Sequence, residues 1–271
     1  MSFLKTTWRR YLAWLVLVCL FAAACVLLSR WQFDRRAQVL AVINTIDSNY
    51  DQPPKPLSAL LSDTNTALPA DKQWLPAEVH GSYVPSMTTL VRNKPYGGNP
   101  GFEVLVPFRT DQNTVVVVDR GWLPTGNAQD SPDHVPAVTD EPMTLVGRLM
   151  PGEAALNRTA PEGQIPSIYL PAFATFDSAK TYLNAYLMLD RESVKQPQAT
   201  KIARPNYGEG NHLSYAIQWI VFGVLAFATL FWAVRKELEF YRAANVPGYV
   251  AKPKRKTKTD ADAEVEDALL D

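Results

Sequence analysis

Two long stretches of the chain carry no charge at all. Between Arg10 and Arg30 the 19 residues 11–29 are almost wholly apolar, and between His212 and Arg235 the 22 residues 213–234 repeat the pattern. At about 1.5 Å of rise per residue, each run as a helix covers roughly the 30 Å of a bilayer's hydrocarbon. Neither has a polar face, so two transmembrane helices are predicted in preference to two buried core helices. A cleaved signal peptide competes for the first run, since Lys5, Arg9 and Arg10 precede it and Ala22-Ala23-Ala24-Cys25 resembles a lipoprotein cleavage site. Apolar sequence continuing through Leu28 favours a retained span.

Between the spans the period changes. Residues 30–46 read as a helical continuation of the first span, and 51–73 as a Pro-, Ser- and Asp-rich irregular segment. Short β-like runs then recur at 74–83, 88–93, 102–108, 114–119, 143–149 and 185–191. The four valines 115–118 suit a strand buried on both faces. The stretch 95–101 (PYGGNPG) separates two strands, 127–141 is another loop, and a short helix is expected at 176–182. The predicted fold class is therefore an α+β membrane protein. Its two transmembrane helices flank an antiparallel β-rich, barrel- or sandwich-like extracytoplasmic domain. The divisions are 1–10 (cytoplasmic), 11–29 (first span), 30–212 (outer domain), 213–234 (second span) and 235–271 (cytoplasmic tail).

Charge gives the orientation. Residues 1–10 hold three Lys/Arg and no acid, and residues 235–258 hold eight Lys/Arg against two acids, which places both termini in the cytoplasm. Arg30, Arg35 and Arg36 lie on the other side, but a long segment translocates largely regardless of charge. Five of the seven tryptophans (Trp8, Trp14, Trp31, Trp219 and Trp232) lie in or beside the spans, as expected of rings that prefer the lipid headgroup level. No Arg- and Ser-rich transit segment precedes the first run, which favours a bacterial plasma membrane. In the tail, the basic block 252–258 suits anionic headgroups and the acidic end 260–271 reads as disordered.

Composition removes several functions. The 27 basic and 27 acidic residues balance, which disfavours a nucleic-acid partner. Both cysteines, Cys19 and Cys25, fall in the first span, so the outer domain has neither disulfides nor thiol chemistry. No His-Glu-x-x-His, Cys-x-x-Cys, Gly-x-Ser-x-Gly or phosphate-loop motif occurs, and the chain has three histidines: His80, His134 and His212. No catalytic residue is nominated, and an enzyme is not expected. Arg92 and Arg120 each end a strand. Each is either a strand-end turn residue or a bidentate contact for an anionic group. His212 stands just before the second span. It is either an interfacial helix-cap residue or an axial ligand for a haem iron. Tyr215, Gln218 and Trp219 follow on roughly the same side of the helix.

These residues carry a resemblance. Trp31-Gln32-x-x-Arg35 after the first span, Gly81-Ser82-Tyr83, Arg92-Asn93 followed by Gly98, Gly101 and Val106-Pro107-Phe108, the segment Val117-Val118-Asp119-Arg120-Gly121-Trp122-Leu123-Pro124, and His212-Leu213-Ser214-Tyr215-Ala216-Ile217-Gln218-Trp219 together resemble the Surfeit locus protein 1 family of cytochrome c oxidase assembly factors. Ser29 stands where that family usually has Gly, and Val39 where it commonly has Lys. The family's later Asn-x-Trp region has no counterpart near residues 166–169. The resemblance implies a non-enzymatic protein that assists haem a delivery to, or stabilisation in, the oxidase catalytic subunit, with haem a bound transiently. It implies His212 as iron ligand, with Tyr215, Gln218 and Trp219 lining the porphyrin. Trp31, Gln32, Arg35, Arg92, Arg120 and Trp122 would then touch the oxidase or the haem propionates. Haem a synthase is a further expected partner, beside the lipid bilayer. The alternative is an accessory or scaffold subunit that stays on the oxidase without carrying haem.

Overall fold

A computed structural model describes residues 2–174 and 180–246. The short helix expected at 176–182 falls largely outside these residues, as do both charge blocks of the tail. In chain order the elements are helix α1 (Ser2–Asn49), strand β1 (Lys55–Pro56), helix α2 (Leu57–Leu60), β2 (Pro76–Tyr83), β3 (Thr89–Val91) and β4 (Gly101–Thr110). They continue with β5 (Val115–Pro124), β6 (Met143–Pro151), β7 (Gln164–Ile165), β8 (Ala185–Glu192) and helix α3 (His212–Asn245). The chain divides into two compact units, Met1–Ala37 with Glu209–Asp271, and Gln38–Gly208.

The first unit is an antiparallel helical hairpin. No Gly or Pro interrupts α1, so the first apolar run and its polar continuation form one helix of 48 residues, about 72 Å long. Pro53 and Pro54 prevent its extension. Positions 18, 22, 25, 29, 32 and 36 of α1 are shielded, as are 212, 216, 219, 223, 226, 230 and 233 of α3. Steps of four and three alternate along both helices, which is the seam of ridge-into-groove packing between two α-helices. The closest part of the seam uses small residues. Cys25, Ser29 and Ala216 are buried, and a side chain begun at Gly223 would meet the Cys25 Cβ at 3.7 Å. The Ser29 hydroxyl donates to the Ala216 carbonyl oxygen at 3.0 Å, so serine retains the close approach that glycine would give and adds a hydrogen bond. Outside the seam the apolar residues are bare. Only 11% of the most apolar window of α1 is buried, and none of that of α3. Both helices are long and apolar enough, by length and composition, to cross a membrane.

The second unit is built on an eight-stranded sheet in the order β1-β2-β6-β8-β5-β4-β3-β7. All six predicted runs are strands. Two two-residue strands, β1 and β7, are too short to leave a periodic signal. A further pairing joins β2 to β4, so the ladder β2-β6-β8-β5-β4 returns to its first strand. The sheet is mixed, which corrects the antiparallel expectation: β5 and β8 pair in parallel, as do β1 with β2 and β3 with β7. The ring of five makes one such pair unavoidable, because directions cannot alternate all the way around an odd cycle. Gly81 sits where β2 pairs with β6 on one side and β4 on the other. Its φ is +153°, and a Cβ there would lie 2.0 Å from the Arg109 carbonyl oxygen, so only glycine fits.

Both faces of the central strands are covered. Val116 and Val118 enter one apolar cluster with Leu145, Leu149 and Leu187, while Val117 enters a second with Leu105, Tyr186 and Ile168. The valine run is thus buried on both sides, as its composition implies. Ile46 and Tyr50, at and just past the end of α1, complete the second cluster, and the Asn49 amide donates to the carbonyls of Asp71 and Gln73 at 2.7 and 2.8 Å.

Candidate functional site

His212 is the first residue of α3, reached through Gly208 and Gly210. The seam brings it against Gln32 of α1, with Nδ1 2.9 Å from the Gln32 side-chain oxygen. That oxygen can only accept, so the contact favours the tautomer with its proton on Nδ1, the one that leaves Nε2 available to a metal. This is the arrangement by which a second residue orients a histidine for a metal. Gly210 has φ +67°, and a Cβ there would stand 3.3 Å from the ring Cδ2 and 3.4 Å from Nε2. Glycine therefore leaves the ligand edge of the imidazole uncovered. One turn along α1, Arg36 donates to Glu209 at 2.8 Å and fixes the chain just before His212. The donor set suits a haem iron: one imidazole, its Nδ1 edge engaged by Gln32, beside exposed aromatic rings.

The other expected porphyrin residues divide. Trp219 lies two turns along from His212 on the seam face, half-buried and edge-on to Phe222 at 5.8 Å between centroids. Tyr215 is exposed about a sixth of a turn away. Gln218 is about a third of a turn off the His212 face and exposed, which corrects its placement with the others. A separation of six residues is a poor match to 3.6 residues per turn. Trp31, Gln32 and Arg35 all belong to the hairpin unit, with Trp31 and Arg35 exposed.

Arg92, Arg120 and Trp122 lie in the sheet domain and are engaged within it. Arg120 is buried. Its Nε lies 3.2 Å from Glu192 Oε1, its Nη2 donates to the Pro197 carbonyl at 3.1 Å, and its guanidinium covers the Tyr83 ring at 5.3 Å. Tyr83 donates its hydroxyl to the same Glu192 oxygen at 2.7 Å, and the Gln198 amide donates to the other at 3.1 Å. Burial pushes the Glu192 carboxyl up, but the Tyr83 hydroxyl and Arg120 outweigh it and hold the group below its ordinary value. Burial, with Glu192 beside it, pushes the Tyr83 phenol well above its usual range. The Arg120 guanidinium, expected at a partner or propionate contact, is thus engaged inside the domain. Trp122 is likewise enclosed, with Nε1 donating to the Lys94 carbonyl at 2.6 Å. Arg92 donates to Gln164 at 2.8 Å and pairs with Asp130.

A second charged group lies near Trp122. The Lys94 ammonium sits 3.2 Å from Glu103 and 2.5 Å from Glu153. Burial lowers the Lys94 value, and the two carboxylates more than offset it, leaving it raised. Asp119 is buried with one oxygen accepting from the Gly121 amide at 2.9 Å and the other without a partner, and burial drives its carboxyl well up. Glu192 and the Lys94 group were not singled out from sequence, and Tyr83 entered only within the Gly81-Ser82-Tyr83 motif. Tyr83 lies 109 residues from Glu192 and Lys94 lies 59 from Glu153, and only the fold brings them together. Among the described residues no group of three or more His, Cys, Asp or Glu is placed to hold a metal ion.

The SURF1 family model matches residues 19–224, which takes in part of each apolar stretch and the whole domain between them. An uncharacterized SURF1-like protein of Mycobacterium bovis is 31% identical over 223 residues, covering 80% of each chain. One of Mycobacterium tuberculosis matches to the same extent. A SURF1-like protein of Rickettsia bellii is 25% identical over 130 residues, 47% of this chain and 49% of that protein. The chain belongs to the SURF1 family.

Proposed function

We propose that this chain is a two-span protein of a bacterial plasma membrane, both termini cytoplasmic, that assists assembly of the haem–copper cytochrome c oxidase by holding haem a at His212. Family membership supports the assembly role, and the basic flanks of the two spans support the orientation. The observation that carries the haem proposal is the His212–Gln32 contact at 2.9 Å beside the side-chain-free Gly210. His212 supplies Nε2 to the iron. Gln32 holds the tautomer and ring orientation. Trp219 offers an apolar edge two turns along. Trp31 and Tyr215 present exposed rings at the same end of the hairpin, where an oxidase catalytic subunit or a haem a synthase would dock.

The test is purification of the full chain from cells that make haem a, with the bound haem read by absorbance. His212→Ala should abolish the haem spectrum. Gln32→Leu should weaken binding about tenfold, the usual size of an outer-shell effect. An unchanged spectrum in His212→Ala overturns the ligand assignment. Stoichiometric co-purification with mature oxidase, with normal oxidase haem in His212→Ala, favours the scaffold subunit instead.

A further inference from the structure

The hairpin has a second feature, far from His212. Near the Arg10 end, the two helices leave an open groove of about 570 Å³. Trp14, Leu17 and Phe21 of α1 form one wall, and Ala226, Thr229 and Ala233 of α3 the other. The volume falls in the range of small-molecule sites. Its lining is almost wholly apolar: the Thr229 hydroxyl already donates to the Leu225 carbonyl at 2.8 Å, and the Trp14 indole N–H is the other polar side-chain group. An occupant is therefore an alkyl chain. The mouth is cationic. Arg10 pairs with Glu237 and stacks over Tyr11 and Trp14 at 5.6 and 5.3 Å. Lys236 covers Trp232 at 4.8 Å, Arg235 pairs with Glu239 at 3.5 Å, and Arg9 precedes Arg10 in the chain. Four cations face two carboxylates, Glu237 and Glu239.

We infer that this groove binds one anionic phospholipid, an acyl chain between the helices and the phosphate at the basic mouth. The inference rests on the two-span proposal. Charge complementarity selects the occupant, since basic clusters at the cytoplasmic end of membrane helices attract anionic headgroups. A transmembrane helix of another protein would find only one wall of small residues, with Trp14, Leu17 and Phe21 protruding from the other.

The test uses the full chain in vesicles of equal phosphatidylglycerol and phosphatidylcholine, gentle detergent extraction, and mass spectrometry of the intact protein. About one phosphatidylglycerol per chain should be retained in preference to phosphatidylcholine. Ala226→Trp should remove it, while Val224→Trp, at a fully lipid-facing position, should not. Arg9→Gln with Lys236→Gln leaves the groove intact and should reduce retention about thirtyfold, two charges' worth of headgroup attraction. Equal retention of the two lipids, or retention unaffected by both the groove and the charge variants, overturns the site. So does a cross-link from Ala226→Cys to another protein's helix. Release of the chain by alkaline carbonate without detergent overturns the two-span proposal itself, a separate outcome.

Discussion

In the sheet domain Leu105, Val106, Phe108 and Val117 are fully enclosed, whereas in the hairpin Leu17, Leu20, Leu27 and Phe231 are each more than 60% exposed. The same residue types are used in opposite senses. The domain hides large apolar side chains and buries several charged groups among them: Arg120 against Glu192, Arg148 against Asp190, and Asp119 on the Gly121 amide. The hairpin hides Cys25, Ser29 and Ala216 and turns its bulk outward. Water drives the first arrangement. In lipid, where the two-span proposal puts the hairpin, no such force exists between helices, and close contact and hydrogen bonding would decide the second. Apolar content therefore does not identify a core until the solvent is known.

The comparison breaks most sharply at Arg120. Removing one partner of a buried pair leaves the other charge without compensation, so Arg120→Leu should destabilise the sheet domain by about 3–5 kcal/mol. Adding Glu192→Leu should restore much of that loss in a double-mutant cycle followed by thermal unfolding, with haem binding at the hairpin as control. If the double variant is as unstable as the sum of the singles, the pair is not coupled. Ser29→Leu probes the other region. Over-packing the seam should cost about 1–3 kcal/mol and separate His212 from Gln32, read as weaker haem binding with the domain's unfolding transition unchanged.

Acid should change the stability of the sheet domain. Asp119 has a raised value, so its ionised form penalises the fold, and that penalty is relieved as the pH falls from neutral through the raised value. Glu192 has a lowered value, so its contribution is complete above the ordinary carboxylate range and is lost as the pH falls through the folded-state value. Stability should therefore pass through a maximum on the acid side of neutrality. Asp119→Asn should flatten the limb above that maximum in denaturant midpoints measured across pH. The smallest effect is Ser29→Gly, which keeps the close approach and loses one hydrogen bond, about 0.6 kcal/mol for a bond of this kind.

Much of this was legible in the chain. The charge-free runs announced both long helices, and alternation located six strands, because burial on one or two faces writes itself into a local period. Strand direction does not, so the parallel β5–β8 pair was invisible. His212 and Gln32 were each marked by the family resemblance, but 180 residues separate them and only the seam reveals that they touch. Arg120 reads from sequence as either a strand-end turn residue or a contact for an anionic group, and neither reading names an internal carboxylate. Its partner Glu192 lies 72 residues later, where nothing in the local sequence points back to it. Ser29, which departs from the family's glycine, has a physical account in its bond to Ala216.

The distance from Arg120 to Glu192 also sets a schedule. At ribosomal speeds of about 5–20 residues per second, 72 residues take roughly 4–14 seconds to synthesise. Until β8 emerges, β6 and β5 are raw edges, and the guanidinium destined for the interior has no carboxylate to meet. The domain is thus completed by its last strand, in a single late closure. A nascent chain stalled before residue 185 would carry two open strand edges, the form of a protein most prone to join its neighbours.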